Sequence, residues 1–282
     1  MSPSTSPLVT PGQLARWLSA EACLTVLDVR WEVSTGADHA AYLAGHIPGA
    51  VFIDLDRQLA DPPSDRGRHP LPDAVRFGGE MRSAGVWNER PVVVYDAAAS
   101  LAAARAWWLL RYFGHARVAV LDGGFATWVG EGYPVSSAVL TPEPGDFVPQ
   151  LGGMRALTAE QAAALASSGG VLLDARAPER FAGLSEPIDP VAGHIPGARN
   201  RPTAANLAPD GRFLPPAELK AAFEEIGVRE DAPLGAYCGS GVTAAHEVLA
   251  LELAGYRAAL YPGSWSEWIR DPARPVARGE DR

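Results

Sequence analysis

The chain has 282 residues, 47% of them hydrophobic and 20% charged, which is enough for two domains that each bury a core. Its net charge is -9 and its Lys and Arg residues form no cluster, which argues against nucleic acids and anionic membranes as partners. No run approaches the roughly 20 apolar residues that cross a bilayer, and residues 1–7 lack a signal-peptide pattern, so we predict a cytoplasmic protein.

Apolar strand patterns and Ala-rich helical patterns alternate along the first half of the chain. Thr10 is predicted to cap the first helix. A strand is predicted at 26–29, a helix at 101–113 and another strand at 118–121. This alternation predicts an α/β fold with a parallel sheet flanked by helices.

The second half of the chain repeats this order. Thr158 is a second predicted helix cap, and it precedes a strand at 171–174, a helix at 243–254 and a strand at 258–260. In a parallel sheet, ligands bind beyond the carboxyl ends of the strands. The residues that follow the strands are therefore the first candidates for a functional site.

Five short motifs occur twice in the same order, which indicates two copies of one domain. The longest is Gly-His-Ile-Pro-Gly-Ala, at 45–50 and again at 193–198. We predict a first domain, a Pro- and Gly-containing linker and a second domain with the bounds 1–140, 141–154 and 155–282.

Residues present in both copies are interpreted as scaffold, because only one copy of each pair can serve a single catalytic centre. His46 and His194 are expected to hold the turns that follow them. Asp28 and Asp174 are each expected to pair with the arginine two residues further on.

Two cysteines are too few for a disulfide framework, which fits a reducing compartment. Cys23 lies in an apolar stretch and is predicted to be a small buried residue. Cys238 is different, because residues 237–244 read Tyr-Cys-Gly-Ser-Gly-Val-Thr-Ala between a strand and a helix. Backbone N–H groups and the positive end of that helix favour an anion there, so the loop is typical of a nucleophilic cysteine or a carrier of bound sulfur.

Taken together, the paired Asp-x-Arg strands, the paired Gly-His-Ile-Pro-Gly segments and the single cysteine loop resemble the tandem rhodanese sulfurtransferases, over roughly 8–268. The resemblance implies two rhodanese-like domains, the second carrying the catalytic Cys238. The cysteine loop is similar to that of the 3-mercaptopyruvate branch, because thiosulfate-preferring members usually carry basic residues just after the cysteine. The first copy has no thiol and no glycine cradle at 95–100, so we expect it to be catalytically silent.

The resemblance also implies roles for individual residues. Cys238 would become a persulfide, and Ser240 and Thr243 would contact the sulfur or help to relay a proton to the pyruvate enolate. Asp56 and His69 would complete that relay, and the second copy has no histidine at the place comparable to His69. The loop residues expected to bind the donor or the bound sulfur are Gly239, Gly241 and Val242. A plainer alternative is that Thr243 caps a helix beginning at Ala244.

Arg180 matches the family arginine that binds the substrate carboxylate, and a guanidinium fork suits a planar carboxylate. The 3-mercaptopyruvate branch often has a second arginine shortly afterwards, but 183–191 contains none. Arg201 is one candidate for its replacement.

The predicted activity is therefore transfer of sulfur from 3-mercaptopyruvate through Cys238 to a thiophile such as cyanide or a thiol protein such as thioredoxin. Three alternatives stay open: a thiosulfate sulfurtransferase, a non-enzymatic persulfide carrier, and a cysteine phosphatase or arsenate reductase. The last would need an arginine that closes the loop, and 243–245 offers none. Metal-ligand spacings and nucleotide-binding loops are absent from the sequence, so we expect no metal and no cofactor.

Overall fold

The computed structural model describes residues 6–20 and 23–279. The chain forms two compact units, and each unit contains a short segment from the other half of the chain. The first unit comprises Met1–Asp61, Pro72–Met154 and Ala208–Phe213, and the second comprises Pro62–Leu71, Arg155–Leu207 and Leu214–Arg282. We call Pro62–Leu71 the N-terminal arm and Ala208–Phe213 the C-terminal arm. Residues of the predicted linker, 141–154, lie in the first unit.

The first unit contains a sheet of parallel strands with helices packed against it. Its elements are β1 Leu8–Val9, α1 Pro11–Ser19, β2 Thr25–Asp28, β3 Trp31–Glu32, β4 Gly36–Ala37, α2 His39–Ala44, β5 Val51–Phe52, α3 Leu55–Gln58, α4 Ala74–Ser83, β6 Val92–Tyr95, α5 Leu101–Tyr112, β7 Val118–Leu121 and α6 Gly124–Gly130. The order of the parallel strands is β1-β7-β6-β2-β5, and β3 and β4 form a separate antiparallel pair.

The second unit repeats the architecture with fewer strands. Its elements are α7 Ala159–Ser167, β8 Val171–Asp174, α8 Pro178–Phe181, β9 Arg199–Asn200, a 3₁₀ helix at Thr203–Asn206, α9 Pro216–Glu225, β10 Leu234–Tyr237, α10 Thr243–Leu253, β11 Ala259–Leu260 and α11 Ser264–Trp268. The four strands are parallel in the order β11-β10-β8-β9. The predicted α/β fold with parallel sheets flanked by helices is confirmed in both units.

The first helix of each copy begins with the same capping arrangement. The side chain of Thr10 accepts a hydrogen bond from the backbone N–H of Gln13, and the Gln13 side chain accepts one from the N–H of Thr10. Thr158 and Gln161 repeat this reciprocal pair. These bonds satisfy N–H groups that a helix start would otherwise leave unpaired, so both predicted caps are confirmed.

The duplicated Asp-x-Arg motif forms an ion pair in each unit. Arg30 Nη2 lies 2.7 Å from Asp28 Oδ2, and Arg176 Nη2 lies 2.6 Å from Asp174 Oδ2. Each arginine also donates to a backbone carbonyl just before a duplicated histidine, at Gly45 and Gly193. Because these carboxylates are buried, the pairs and their additional hydrogen bonds fix the turn beside each sheet, as the scaffold interpretation predicts.

The two histidines of the repeated segment are also structural. His46 Nδ1 lies 2.8 Å from the carbonyl oxygen of Tyr42, and His194 Nδ1 lies 2.8 Å from that of Phe181. Both rings are fully buried and stacked on aromatic neighbours.

The prediction for Cys23 is wrong, because this residue is exposed. It precedes β2 rather than lying within the strand, so the apolar stretch that follows enters the sheet without it. Among the described residues, no helix is both long and apolar enough to span a membrane.

Candidate active site

Cys238 lies at the end of β10, where the strand passes into the loop before α10. Its thiol is buried, with only 1% of the residue exposed, and the backbone N–H of Gly241 donates a hydrogen bond to Sγ at 3.1 Å. The Cys238 N–H donates to Ser264 Oγ, also at 3.1 Å. The sulfur thus lies beside a backbone donor near the N-terminus of an eleven-residue helix, an environment that stabilises a negative charge on sulfur.

Two further backbone hydrogen bonds hold this loop against α11. The N–H groups of Trp265 and Ser266 donate to the carbonyl oxygens of Cys238 and Gly239, both at 2.9 Å. Gly241 has a φ of +80°, and a Cβ there would lie 2.3 Å from the carbonyl oxygen of Pro262. Only glycine therefore fits this position in the observed loop.

Helix α10 begins one residue earlier than the capping alternative predicts. Val242 occupies the N-cap position without a side-chain capping bond, and the half-buried Thr243 is the first helical residue. The interpretation of Thr243 as the N-cap is therefore wrong.

His69 reaches the cysteine loop as part of the N-terminal arm. Its Nδ1 lies 2.7 Å from Ser240 Oγ, a hydrogen-bonding distance, and Ser240 is buried. The preceding residue, Arg68, anchors the arm because its backbone N–H donates to Ser266 Oγ at 3.0 Å. The structure therefore brings His69 and Ser240 together within the unit that carries Cys238.

Gly67 determines how closely this arm approaches the cysteine loop. Its φ is +105°, and a Cβ there would lie 2.8 Å from the carbonyl oxygen of Gly263 and 2.9 Å from Ser266 Oγ. A side chain at this position would push the arm away from α11.

Asp56, the third member of the predicted relay, belongs to the first unit. It lies on α3, and its Oδ2 accepts a hydrogen bond of 2.9 Å from the indole Nε1 of Trp31. Its part in the relay stays a prediction.

Arg180 is held by acidic residues from the loop that follows α8. Its Nε and Nη2 donate to Glu186, and Nη2 also lies 3.3 Å from Asp189 Oδ2. Burial acts to raise the pKa of the Glu186 carboxyl. Hydrogen bonds from Arg180 and from the backbone N–H of Asp189 outweigh burial and hold this pKa below its usual value. Burial raises the pKa of Asp189, and the charge of Arg68 acts in the opposite direction.

Arg68 is a charged residue beside the cysteine loop that the sequence pattern does not single out. Its Nη1 pairs with Asp189 Oδ1, so one carboxylate bridges Arg68 and Arg180. Arg201 is engaged elsewhere, with the Asn206 side chain and the carbonyl of Ala205. The sequence feature that points to Arg68 is its position directly before His69, in a segment that is expected to approach Cys238.

The corresponding loop of the first unit holds a carboxylate where the second has a thiol. Asp96 follows β6 and accepts backbone hydrogen bonds from Ser100, Ala102 and Ala103 at 3.0, 3.0 and 3.2 Å. Burial raises the pKa of Asp96, while these hydrogen bonds act to lower it. N–H groups therefore converge in this loop without the glycines of the second copy, and Asp96 fills the space between them.

Within the described part of the chain, no three His, Cys, Asp or Glu side chains group closely enough to hold a metal ion. The chemistry available at this site is that of the sulfur, a histidine–hydroxyl pair and two arginines.

Comparison with known proteins gives a consistent result. A family model for the rhodanese-like domain matches residues 10–131 and again 158–271. The chain is 46% identical to SseB of Mycobacterium tuberculosis, provisionally named a thiosulfate sulfurtransferase, over 96% of this chain and 97% of the relative. It is also 46% identical to a Pseudomonas aeruginosa protein provisionally named a 3-mercaptopyruvate sulfurtransferase, over 98% of this chain and 100% of the relative.

Among solved structures, SseA from Escherichia coli, described as a 3-mercaptopyruvate sulfotransferase, superposes with a TM-score of 0.81. The two sequences are 33% identical, and the match covers 93% of this chain and 99% of SseA.

Proposed function

The chain belongs to the rhodanese-like domain family, and from that premise we propose that it transfers sulfur from 3-mercaptopyruvate to a thiophilic acceptor through a persulfide on Cys238. The observation that carries the proposal is the Cys238 loop itself. It combines a buried thiol, a backbone donor 3.1 Å from the sulfur and a histidine–serine pair 2.7 Å apart beside it.

In the first half-reaction the Cys238 thiolate attacks the sulfur of the donor. A bond forms between Sγ and that sulfur, the donor's C–S bond breaks, and pyruvate leaves as its enolate. The enolate carbon then takes one proton, which we assign to the His69–Ser240 pair with Asp56 as its predicted third member. We assign the Gly241 N–H, together with Gly239 and Val242 of the same loop, to holding the sulfur that remains.

In the second half-reaction the persulfide loses its outer sulfur. With cyanide the S–S bond breaks, the carbon–sulfur bond of thiocyanate forms, and the Cys238 thiol is regenerated. In the cell we propose a dithiol protein such as thioredoxin as acceptor and the cytoplasm as compartment, a choice supported by the two free cysteines.

The second candidate is thiosulfate as the donor. The relatives at 46% identity carry both names, and Arg68 adds to the cysteine loop the positive charge that its own residues lack. Thiosulfate is a dianion, so its use would depend on this added charge.

Steady-state transfer of sulfur to cyanide, measured with both donors on the full chain, tests the proposal. We expect parallel double-reciprocal lines, a larger kcat/KM for 3-mercaptopyruvate, and retention of one added sulfur on Cys238 after exposure to donor alone. Cys238→Ser should lose at least about 10³-fold in kcat, while Cys23→Ser, which alters the exposed thiol, should behave as the unaltered chain. Converging lines would contradict the double displacement, and no turnover with either donor would favour a persulfide carrier.

A further inference from the structure

The N-terminal arm places a second guanidinium group directly over the cysteine loop. A Cβ at Gly239 would lie 2.9 Å from Arg68 Nη2 and 3.5 and 3.7 Å from Nη2 and Nη1 of Arg180. Both arginines are thus within contact distance of one point next to Cys238. The absence of a side chain at Gly239 leaves room for them.

Each arginine keeps hydrogen-bond donors available at that point. Arg68 uses Nη1 for Asp189, and Arg180 uses Nε and Nη2 for Glu186 and Asp189. Among the described residues, Arg68 Nη2 and Arg180 Nη1 have no side-chain or backbone acceptor. The arginine side chains are 27% and 17% exposed, whereas the carboxylates of Asp189 and Glu186 are 4% and 3% exposed. An incoming anion can therefore reach the cations but not the acids behind them.

The structure assigns Arg68 as the second arginine that binds the donor's carboxylate, with Asp189 bridging it to Arg180 and setting their spacing. This assignment rests on the proposed function and extends it to specificity. Two guanidinium groups and two carboxylates balance in charge, so the pair can orient one carboxylate by forked hydrogen bonds but attracts a dianion less than two unbalanced arginines would.

Donors that differ only in charge test this role. 1-Mercaptopropan-2-one carries the same ketone and thiol as 3-mercaptopyruvate but has no carboxylate. Loss of one charge-assisted hydrogen bond corresponds to about 10- to 100-fold. Arg68→Gln should therefore lower kcat/KM for 3-mercaptopyruvate by about that factor, mainly through KM, and change kcat/KM for the neutral donor by less than about threefold.

Arg66→Gln is the matched control, because Arg66 is an exposed arginine of the same arm. It should leave kcat/KM for both donors unchanged. Arg68→Lys keeps the charge but loses the fork and should fall between the unaltered chain and Arg68→Gln.

The charge balance has a separate test in Asp189→Asn, which removes one negative charge. The ratio of kcat/KM for thiosulfate to that for 3-mercaptopyruvate should rise about tenfold, as expected when a like-charged neighbour of an anion site is neutralised. Arg68→Gln leaves Asp189 buried without one partner, so the double variant Arg68→Gln/Asp189→Asn is measured too. This double variant should still lose more kcat/KM with 3-mercaptopyruvate than with the neutral donor.

An equal loss with the charged and the neutral donor would overturn the assignment, because Arg68 would then only support the fold of the arm. Unchanged kinetics in Arg68→Gln, or an unchanged donor ratio in Asp189→Asn, would overturn it as well. These outcomes differ from failure of the proposed function, in which the unaltered chain would turn over no donor.

Discussion

The two units hold the same loop between a strand and a helix, but the first loop carries the carboxylate of Asp96 and the second carries the thiol of Cys238. In both, the N–H of an aromatic residue donates 2.9 Å to the carbonyl of the first loop residue, Phe125 to Asp96 and Trp265 to Cys238. The backbone geometry is therefore retained in both copies. In the first unit the carboxylate of Asp96 is tethered among the loop's N–H groups, whereas in the second the sulfur of Cys238 can receive and release a substituent.

The arms differ in a parallel way. The N-terminal arm supplies Arg68 and His69 to the cysteine loop, and the C-terminal arm has Arg212 and Phe213 in the comparable positions. Arg212 pairs with Glu131, and the Phe213 N–H donates to Asp122 Oδ1. The two copies thus keep one architecture while they differ in the loop residue, Asp96 or Cys238, and in the arm residue, His69 or Phe213.

Gly67→Ala gives the strongest test of the arm's importance. A methyl group there would meet the carbonyl of Gly263 at 2.8 Å and displace both Arg68 and His69. Since misplacement of catalytic groups by about 1 Å can cost 10²-fold, we expect kcat/KM for 3-mercaptopyruvate to fall by about that factor or more.

The matched control is Gly211→Ala in the C-terminal arm. Gly211 also has a positive φ, +81°, but its Cβ would meet its nearest neighbour, the Ala98 carbonyl oxygen, only at 3.4 Å. Both glycines have a positive φ, so equal losses of activity in the two variants would show that a side chain in this backbone conformation, rather than the position of the arm, is responsible.

His69→Gln separates the proton step from sulfur transfer. Pyruvate needs a proton on carbon, whereas sulfite leaving from thiosulfate does not. We expect kcat with 3-mercaptopyruvate to fall by about 10²-fold and kcat with thiosulfate to fall far less. His39→Gln, at an exposed histidine of α2, is the control, and a uniform loss with both donors would assign His69 a structural role instead.

Asp96→Ala opens the filled cradle of the first unit. Three backbone N–H groups lose their acceptor, which should lower the free energy of unfolding by about 1–3 kcal/mol. Formate has the size of the deleted carboxylate, so it should raise the melting temperature of this variant more than chloride at equal ionic strength does.

The exposed Asp231→Ala is the control for Asp96→Ala and should show no formate effect. If formate does not stabilise Asp96→Ala, the cradle does not hold its shape without the carboxylate.

The last prediction concerns a buried titratable residue in the helix after each loop. Arg105 in α5 and Glu247 in α10 lie nine residues beyond Asp96 and Cys238, and both are fully buried. Burial raises the pKa of Glu247 to about 8, against the weaker opposing effect of its hydrogen bond from Asn206.

Because this pKa lies above that of an unfolded glutamate, protonated Glu247 favours the folded state at low pH, and the contribution is lost as pH rises from about 4.5 to about 8. Glu247→Gln should remove this dependence, so its melting temperature should gain a few degrees relative to the unaltered chain between pH 5 and pH 9. Glu225→Gln, at an exposed residue of α9, should show no such gain. If the melting temperatures of Glu247→Gln and the unaltered chain differ by the same amount at every pH, the raised pKa of Glu247 is contradicted.

Local features of the fold were predictable from the sequence, and features that depend on distant segments were not. The caps at Thr10 and Thr158 and the loop at Cys238 involve neighbours within a few residues, so the sequence pattern carries them. Arg68 lies 170 residues from Cys238, and nothing in its local sequence shows which unit it joins.

The carboxylate side chain held by the first unit's loop was not predictable for a related reason. The sequence at Asp96 shows an acid near alanines, but the convergence of three N–H groups on its carboxylate is a property of the folded turn. Arg180 is predictable from the resemblance, whereas its ion pairs with Glu186 and Asp189 depend on how the loop after α8 folds back onto it.

The exchange of arms bears on how this molecule can evolve. Each repeat contributes a short segment to the unit formed mainly by the other repeat. A gene reduced to its cysteine-bearing half would therefore encode Cys238 without Arg68 or His69. Duplication usually leaves a spare copy that deletion can remove. Here the copy without a thiol encodes the segment that packs on the other copy's cysteine loop, so deleting that copy would also remove Arg68 and His69.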